Sequence, residues 1–147
     1  MEKIIKFKKL DKTAILPNYA HKEDAGMDIF SNEDVVVKAK EWALIKTGFS
    51  MELPHGYEAQ VRSKSGLSLK SGIIVLNSPG TIDENYRGEV CVIIMNVSKE
   101  DYHVEKKQKI AQMVINKVEH LKCVETKEIS KTQRGEGGFG STGLNKQ

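Results

Sequence analysis

Apolar residues occur along this chain in short stretches separated by turn-forming residues. They are "DVVVKAK" (residues 34–40), "ALIKTGFSMEL" (43–53), "YEAQVRS" (57–63), "GIIVL" (72–76), "EVCVIIMNV" (89–97) and "KIAQMVINKV" (109–118). The third shows strict alternation, with Tyr57, Ala59 and Val61 interleaved with Glu58, Gln60 and Arg62, the signature of a half-buried strand. Breakers stand between the stretches: "LPHG" at 53–56, "NSPG" at 77–80 and "YRG" at 86–88. No stretch sustains a helical period, apart from a turn or two near "GLSLKSG" (66–72). The pattern predicts an all-β chain, a barrel or double-sheet sandwich of the jelly-roll kind.

From about Glu128 the apolar residues nearly vanish, and the chain becomes rich in Lys, Thr, Gln, Gly and Ser. Such a segment cannot bury enough surface to offset the entropy of ordering it. This predicts one β-domain over residues 1–129 and a mobile glycine-rich arm over 130–147, with Phe139 its one large aromatic group.

Composition narrows the class. At 147 residues the chain is long enough for one substantial core, and 39% hydrophobic with 29% charged residues is ordinary for a globular protein. No apolar run is long enough to span a bilayer. "MEKIIKFKKL" has no continuous apolar region of the signal-peptide type, so a cytoplasmic protein is expected. A net charge of +3 suits a small anionic ligand but not a duplex-binding stripe; the lysine-rich start reads as an edge protected against sheet-to-sheet pairing. No nucleic-acid or membrane partner is expected. Cys91 and Cys123 lack CxxC spacing and read as reduced thiols, with Cys91 packed inside its strand. His21, His55, His103 and His120 show no zinc spacing, and no nucleophile motif appears. Attack by an activated water is the simpler chemistry.

Four segments carry candidate chemistry. "NSPGTIDENYRGE" (77–89) is long for a hairpin connection and holds Asp83 and Tyr86 between glycines; loops of that length are commonly functional, although turn chemistry alone would also account for the residues. "VRSKSGLSLKSG" (61–72) places Ser63, Ser65 and Gly66 beside Arg62 and Lys64, a set that suits phosphate oxygens or a solvated turn. Asp28 lies between apolar neighbours in "DAGMDIFS", and Gln112 lies within an apolar strand, where an inward side chain would require a partner. The fourth is "RGEGGFGSTG" (134–143), which matches phosphate-loop glycine spacings yet is followed by only four residues, too few for the helix such loops require.

Taken in order, "AGMDIFS", "RSKSGLS", "NSPGTIDENYRGEV", "KIAQMV" and "RGEGGFGSTG" resemble the five motifs of the homotrimeric dUTP diphosphatases, over residues 25–143. The resemblance implies a jelly-roll or distorted β-barrel protomer, a threefold trimer with each active site shared among the chains, and hydrolysis of dUTP to dUMP and pyrophosphate with Mg2+. Such a reaction limits uracil incorporation into DNA and supplies dUMP for thymidylate synthesis. By the same resemblance Asp83 is the general base that activates the water. Tyr86 stacks beneath the deoxyribose, and Asn77, Gly80, Thr81 and Ile82 form the hairpin that reads uracil. Lys64, Ser65, Gly66 and Gln112 bind phosphate oxygens. Asp28 holds magnesium indirectly, through water. Arg134 meets the phosphates, Phe139 stacks over uracil, and Gly140, Ser141 and Thr142 hold the terminal phosphate as the arm closes. That answers the missing helix: the glycine-rich tail reads as a lid.

Two residues depart from the family pattern. Lys64 stands where arginine is usual, which keeps the charge but loses bidentate geometry, with Arg62 a candidate to share the task. Asn85 stands where aspartate is frequent. Two rival readings are a dCTP deaminase relative and a catalytically silent jelly-roll binding module; turnover of dUTP against dCTP and dTTP separates all three.

Overall fold

The computed structural model describes residues 1–145. Its strands are β1 (Lys6–Lys9), β2 (Gly26–Phe30), β3 (Val35–Val37), β4 (Trp42–Lys46), β5 (Phe49–Glu52), β6 (Tyr57–Arg62), β7 (Ile73–Val75), β8 (Gly80–Ile82), β9 (Cys91–Asn96), β10 (Tyr102–Val104) and β11 (Lys109–Lys117), with one short helix, α1 (Ser65–Ser71). All pairings are antiparallel, in sheets ordered β2-β11-β6-β8, β4-β9-β7, β1-β5 and β10-β3. The all-β expectation holds. Among the described residues no sheet closes into a barrel, so the architecture is of open sheets packed face to face in the jelly-roll manner.

The core follows from period-2 patterning. In β9, Val92, Ile94 and Asn96 are buried while Cys91, Ile93 and Met95 are half-buried; in β6, Ala59 and Val61 turn inward. Cys91 is therefore on the outer row of its strand rather than packed inside it, because it is out of phase with Val92 and Ile94. Both cysteines are free thiols. Phe49 is fully buried and meets Phe7 edge to face, with centroids 5.6 Å apart and planes at 85°, an arrangement that suits the aromatic quadrupole.

The stretch at 43–53 is broken into β4 and β5 by Thr47 and Gly48. Gly48 has φ of 77°, and a Cβ there would lie 2.8 Å from the Ala14 Cβ; backbone and neighbours both demand glycine. The Thr47 hydroxyl donates to the Val90 carbonyl inside the core. Asn96, with no exposed surface, is the principal polar joint. Its Nδ2 donates to the Val37 and Glu100 carbonyls at 2.9 and 2.8 Å, and its Oδ1 accepts from the Ser98 N–H and hydroxyl at 3.0 and 2.7 Å. A buried amide is tolerated when satisfied in this way.

Beyond β11, Val118 N–H donates to the Gly56 carbonyl at 2.9 Å. From Glu119 to Asn145 every residue is exposed except the half-buried Gly138, and the recorded hydrogen bonds of this segment stay within it.

Candidate functional site

β11 brings the first group of candidate residues together. It pairs with β2 on one side and β6 on the other, so that Gln112 faces Asp28 and Arg62 in a single row, and opposed residues share a sheet face. Asp28 is 5% exposed, with Lys64 Nζ 2.5 Å from Oδ1 and Lys109 Nζ 3.0 Å from Oδ2. Burial alone would push the Asp28 carboxyl up, but hydrogen bonds and charge from Lys64 and Lys109 hold it below the ordinary carboxylate range. Gln112 is half-buried on the sheet face opposite the core residue Met113, and its Nε2 donates to the Ser63 carbonyl at 2.9 Å. The Ser63 hydroxyl in turn accepts from Val75 N–H at 2.8 Å. The chain between β6 and α1 is thereby fixed to β7 and β11.

Lys64 is the N-cap of α1, in extended conformation without a side-chain capping bond, and its ammonium reaches Asp28. Ser65 and Gly66 follow in the first turn and are exposed, where backbone N–H groups have no intrahelical partner. Arg62 is exposed and engaged by Gln60, whose Oε1 accepts from its Nε and Nη2 at 3.2 and 2.7 Å. Two ammonium groups flank one carboxylate here, leaving a positive balance suited to phosphate.

The second group is the hairpin at residues 77–89. The segment is not a structureless loop, because β8 lies inside it and pairs with β6, Ile82 opposite Ala59 and Gly80 opposite Val61. The Ser78–Pro79 peptide is cis. Asn77, Thr81, Ile82, Asp83, Tyr86 and Cys91 line one cleft of about 330 Å³, on the scale of pockets that hold small molecules. Gly80 packs under it, against Asn77 and Val61. Asp83 is exposed at the rim, and its carbonyl accepts from Tyr86 N–H at 3.1 Å. The Tyr86 hydroxyl donates to the Glu89 carbonyl at 2.8 Å. The ring lies so close across the turn that a Cβ at Gly88 would sit 2.5 Å from the Tyr86 oxygen, so glycine at 88 permits this ring position. Asn85, beside Tyr86, is exposed.

The third group, in the arm, touches neither of the others. Arg134 Nε donates to the Gly137 carbonyl at 2.7 Å; Phe139, Gly140, Ser141 and Thr142 are all exposed. Ile82 faces Ala59 while Gln112 faces Arg62, three steps apart on β6, or roughly 10 Å at about 3.3 Å per residue. Asp83 and Lys64 lie farther out, beyond opposite ends of that interval. One chain therefore holds a phosphate-suited cluster, a base-suited cleft and an arm, and does not gather them at one point.

Sequence reasoning missed Lys109 as the second partner of Asp28, and Glu84, whose carboxylate accepts from Gly56 N–H. Both contacts depend on strand register or on turns distant in sequence, and no local motif signals them. Among the described residues, no three His, Cys, Asp or Glu side chains come together as a metal cage. No helix is long and apolar enough to cross a membrane among those residues.

Comparison with known proteins converges on one family. The family model described as dUTPase matches residues 12–143. The chain is similar to a deoxyuridine 5'-triphosphate nucleotidohydrolase of Clostridium acetobutylicum, 62% identical over 97% of this chain and 98% of the relative. A protein of the same description from Clostridioides difficile is 55% identical over 95% and 98%. Among solved structures, a Staphylococcus bacteriophage 80alpha dUTPase with dUPNHPP superposes with TM-score 0.88 at 34% identity, over 96% of this chain and 99% of that one. A dUTPase from phage phi11 of S. aureus, described with a structural Mg(II) ion, superposes with TM-score 0.81 at 28% identity, over 87% and 99%. Nearly full-length matches in sequence and in fold, joined to the hairpin cleft and the glycine-rich arm, make this chain a member of the dUTPase family.

Proposed function

We propose that the chain hydrolyses dUTP to dUMP and pyrophosphate, limiting uracil in DNA and supplying dUMP for thymidylate synthesis, in the cytoplasm. The observation that carries this reading is the cleft in which one hairpin presents Asn77, Thr81, Ile82, Asp83 and Tyr86 together, in a chain whose family membership covers those residues.

In this mechanism uracil lies in the hairpin cleft, where Asn77 and the backbone of Gly80, Thr81 and Ile82 read its edge. A close hairpin excludes the thymine methyl, and a mismatched donor–acceptor pattern rejects cytosine, since polar groups left unpaired discriminate strongly. Tyr86 lies under the deoxyribose and leaves no room for a ribose 2′-hydroxyl. Asp83 takes a proton from water as its oxygen attacks the α-phosphorus, and the bond to the bridging oxygen breaks to release pyrophosphate. Lys64, Ser65, Gly66 and Gln112 hold phosphate oxygens; Arg134, Gly140, Ser141 and Thr142 add theirs when the arm closes with Phe139 over the base. Closure excludes water and aligns the triphosphate.

Asp28 offers magnesium no oxygen clear of an ammonium group, so a role for it is limited to one through water. Magnesium keeps several waters and takes few carboxylates beside substrate phosphates. Asp28 would hold a water of its shell, with triphosphate oxygens as direct ligands. When bound, the ion neutralises phosphate charge. A shared site in a homotrimer is supported by the separation of the three groups within one chain. The test is turnover of dUTP, dCTP and dTTP with and without magnesium, with nucleotide products resolved. Release of dUMP and pyrophosphate from dUTP alone is expected. Deamination of dCTP would support the deaminase reading, and no turnover the silent module.

A further inference from the structure

The carboxylate of Asp83 accepts no hydrogen bond from the described residues, so the backbone on either side of it sets its position. On the N-terminal side, Ile82 is fixed in the ladder with Ala59. On the C-terminal side stands Glu84, and its carboxylate is firmly engaged. Oε2 accepts from Gly56 N–H at 2.5 Å, and Oε1 lies 2.8 Å from His55 Nδ1. The Glu84 carbonyl also accepts from Arg87 Nη1 at 2.7 Å. Gly56 reaches further, since its own carbonyl accepts from Val118 N–H at 2.9 Å. One residue thus connects the hairpin to the last residue anchored before the arm. Gly56, Glu84 and Val118 border a second cleft of about 320 Å³ beside Asp83, with Glu58 and His120 on its walls. The bond from Gly56, then the one from His55, holds the Glu84 carboxyl below the ordinary carboxylate range, so the acceptor stays ionised at neutral pH.

We propose that Glu84 is a positioning residue for the hydrolysis: its carboxylate pins the hairpin to the His55–Gly56 turn and thereby fixes where Asp83 meets the attacking water. The inference rests on the reading of Asp83 as general base. A carboxylate misplaced by about 1 Å can cost on the order of 100-fold in rate. Base recognition belongs to Asn77, Thr81 and Ile82 on the other side of the hairpin, and loosening Glu84 leaves it in place. An exposed His–Glu contact serving stability alone would instead contribute little and leave turnover unchanged.

The experiment uses the full-length protein and its Glu84→Ala, Glu84→Gln and Asp83→Asn variants. It measures kcat and KM for dUTP, thermal unfolding, and affinity for a non-hydrolysable imido analogue of dUTP. Glu84→Ala is expected to lower kcat by roughly 10- to 100-fold while KM and analogue affinity stay near parental values. Glu84→Gln keeps an acceptor for Gly56 N–H and is expected to restore most of the rate. The proposal is overturned by parental kcat in Glu84→Ala, or by equal losses in Ala and Gln that follow a lowered melting temperature or lost analogue binding. If Glu84→Ala does not fold, Glu84→Asp decides. One methylene too short for Gly56, it should lose kcat with analogue binding retained, and full turnover would sink the idea. An Asp83→Asn protein that retains parental turnover refutes the general-base reading and this proposal with it. An inactive Asp83→Asn beside an unimpaired Glu84→Ala refutes only the positioning role.

Discussion

Replacing Asp28 by asparagine tests the electrostatic centre of the phosphate-suited cluster. The substitution keeps shape and removes charge from a side chain that is 5% exposed and contacts two ammonium groups, at 2.5 and 3.0 Å. Hydrogen bonds to charged groups contribute about 1.5–3 kcal/mol each, giving a gross loss of roughly 3–6 kcal/mol. Two effects reduce it. Asparagine avoids the desolvation of a buried carboxylate, and the lysine side chains, 30% and 50% exposed, can turn back to water. A net destabilisation of about 1–2 kcal/mol at neutral pH remains. The pH dependence follows from the lowered Asp28 carboxyl. The unfolded chain binds the proton more readily, so the stabilisation is complete above the ordinary value of about 3.9 and is lost as pH falls through the lower folded value. Urea unfolding at fixed protein concentration, at pH 7 and in acid, should show the parent ahead by that margin at pH 7 and the gap closing in acid. A gap of the same size at both pH values, or a variant more stable at pH 7, would refute the assignment of stability to this charge pair.

Asp83→Asn is expected to reduce dUTP turnover by roughly 10²–10⁴-fold, the contribution of a positioned base, with binding of a non-hydrolysable analogue retained; steady-state kinetics and calorimetry check the two halves. A chain ending at Lys131 should melt close to the parent, because the segment beyond Val118 is exposed and bonds only to itself, yet hydrolyse dUTP very poorly; full activity would remove the arm from the mechanism. Asn96→Ala strips four hydrogen bonds from a fully buried joint. At about 1 kcal/mol per bond it should lower stability by roughly 3–4 kcal/mol, read as a reduced urea midpoint at unchanged slope.

The strands legible in the sequence were those lying in apolar stretches bounded by turns, the three-residue β3 and β7 included. β6 alternates over six residues, and β9 and β11 are apolar runs bounded by turns. The three-residue strands β8 and β10 have no period to detect and exist because neighbours pair with them; β8 lay hidden inside what read as a loop. Gly48 divided one apolar stretch into two strands through a backbone requirement that local hydrophobicity does not express. Within the candidate site, residues on one segment were legible together, as in the hairpin from Asn77 to Tyr86. Contacts set by register were not: the facing of Gln112 and Asp28, and the two lysines on Asp28, follow only once β11 lies between β2 and β6. Gln112 illustrates the limit, since its sequence context left inward and outward orientations open until the Ser63 carbonyl appeared as its partner.

The bond from Val118 to Gly56 makes the arm a tethered ligand. Fifteen residues lie between Val118 and Arg134, and a flexible coil of about that length has a root-mean-square reach of about 20–24 Å. Arg134 is thus held near the protein surface at an effective concentration on the order of millimolar, independent of protein concentration. Shortening the tether would remove access to a distant cleft abruptly, whereas lengthening it would dilute the arm only gradually, as the −3/2 power of length. Residues 119–133 therefore carry a selectable quantity even where no side chain among them touches substrate: their number.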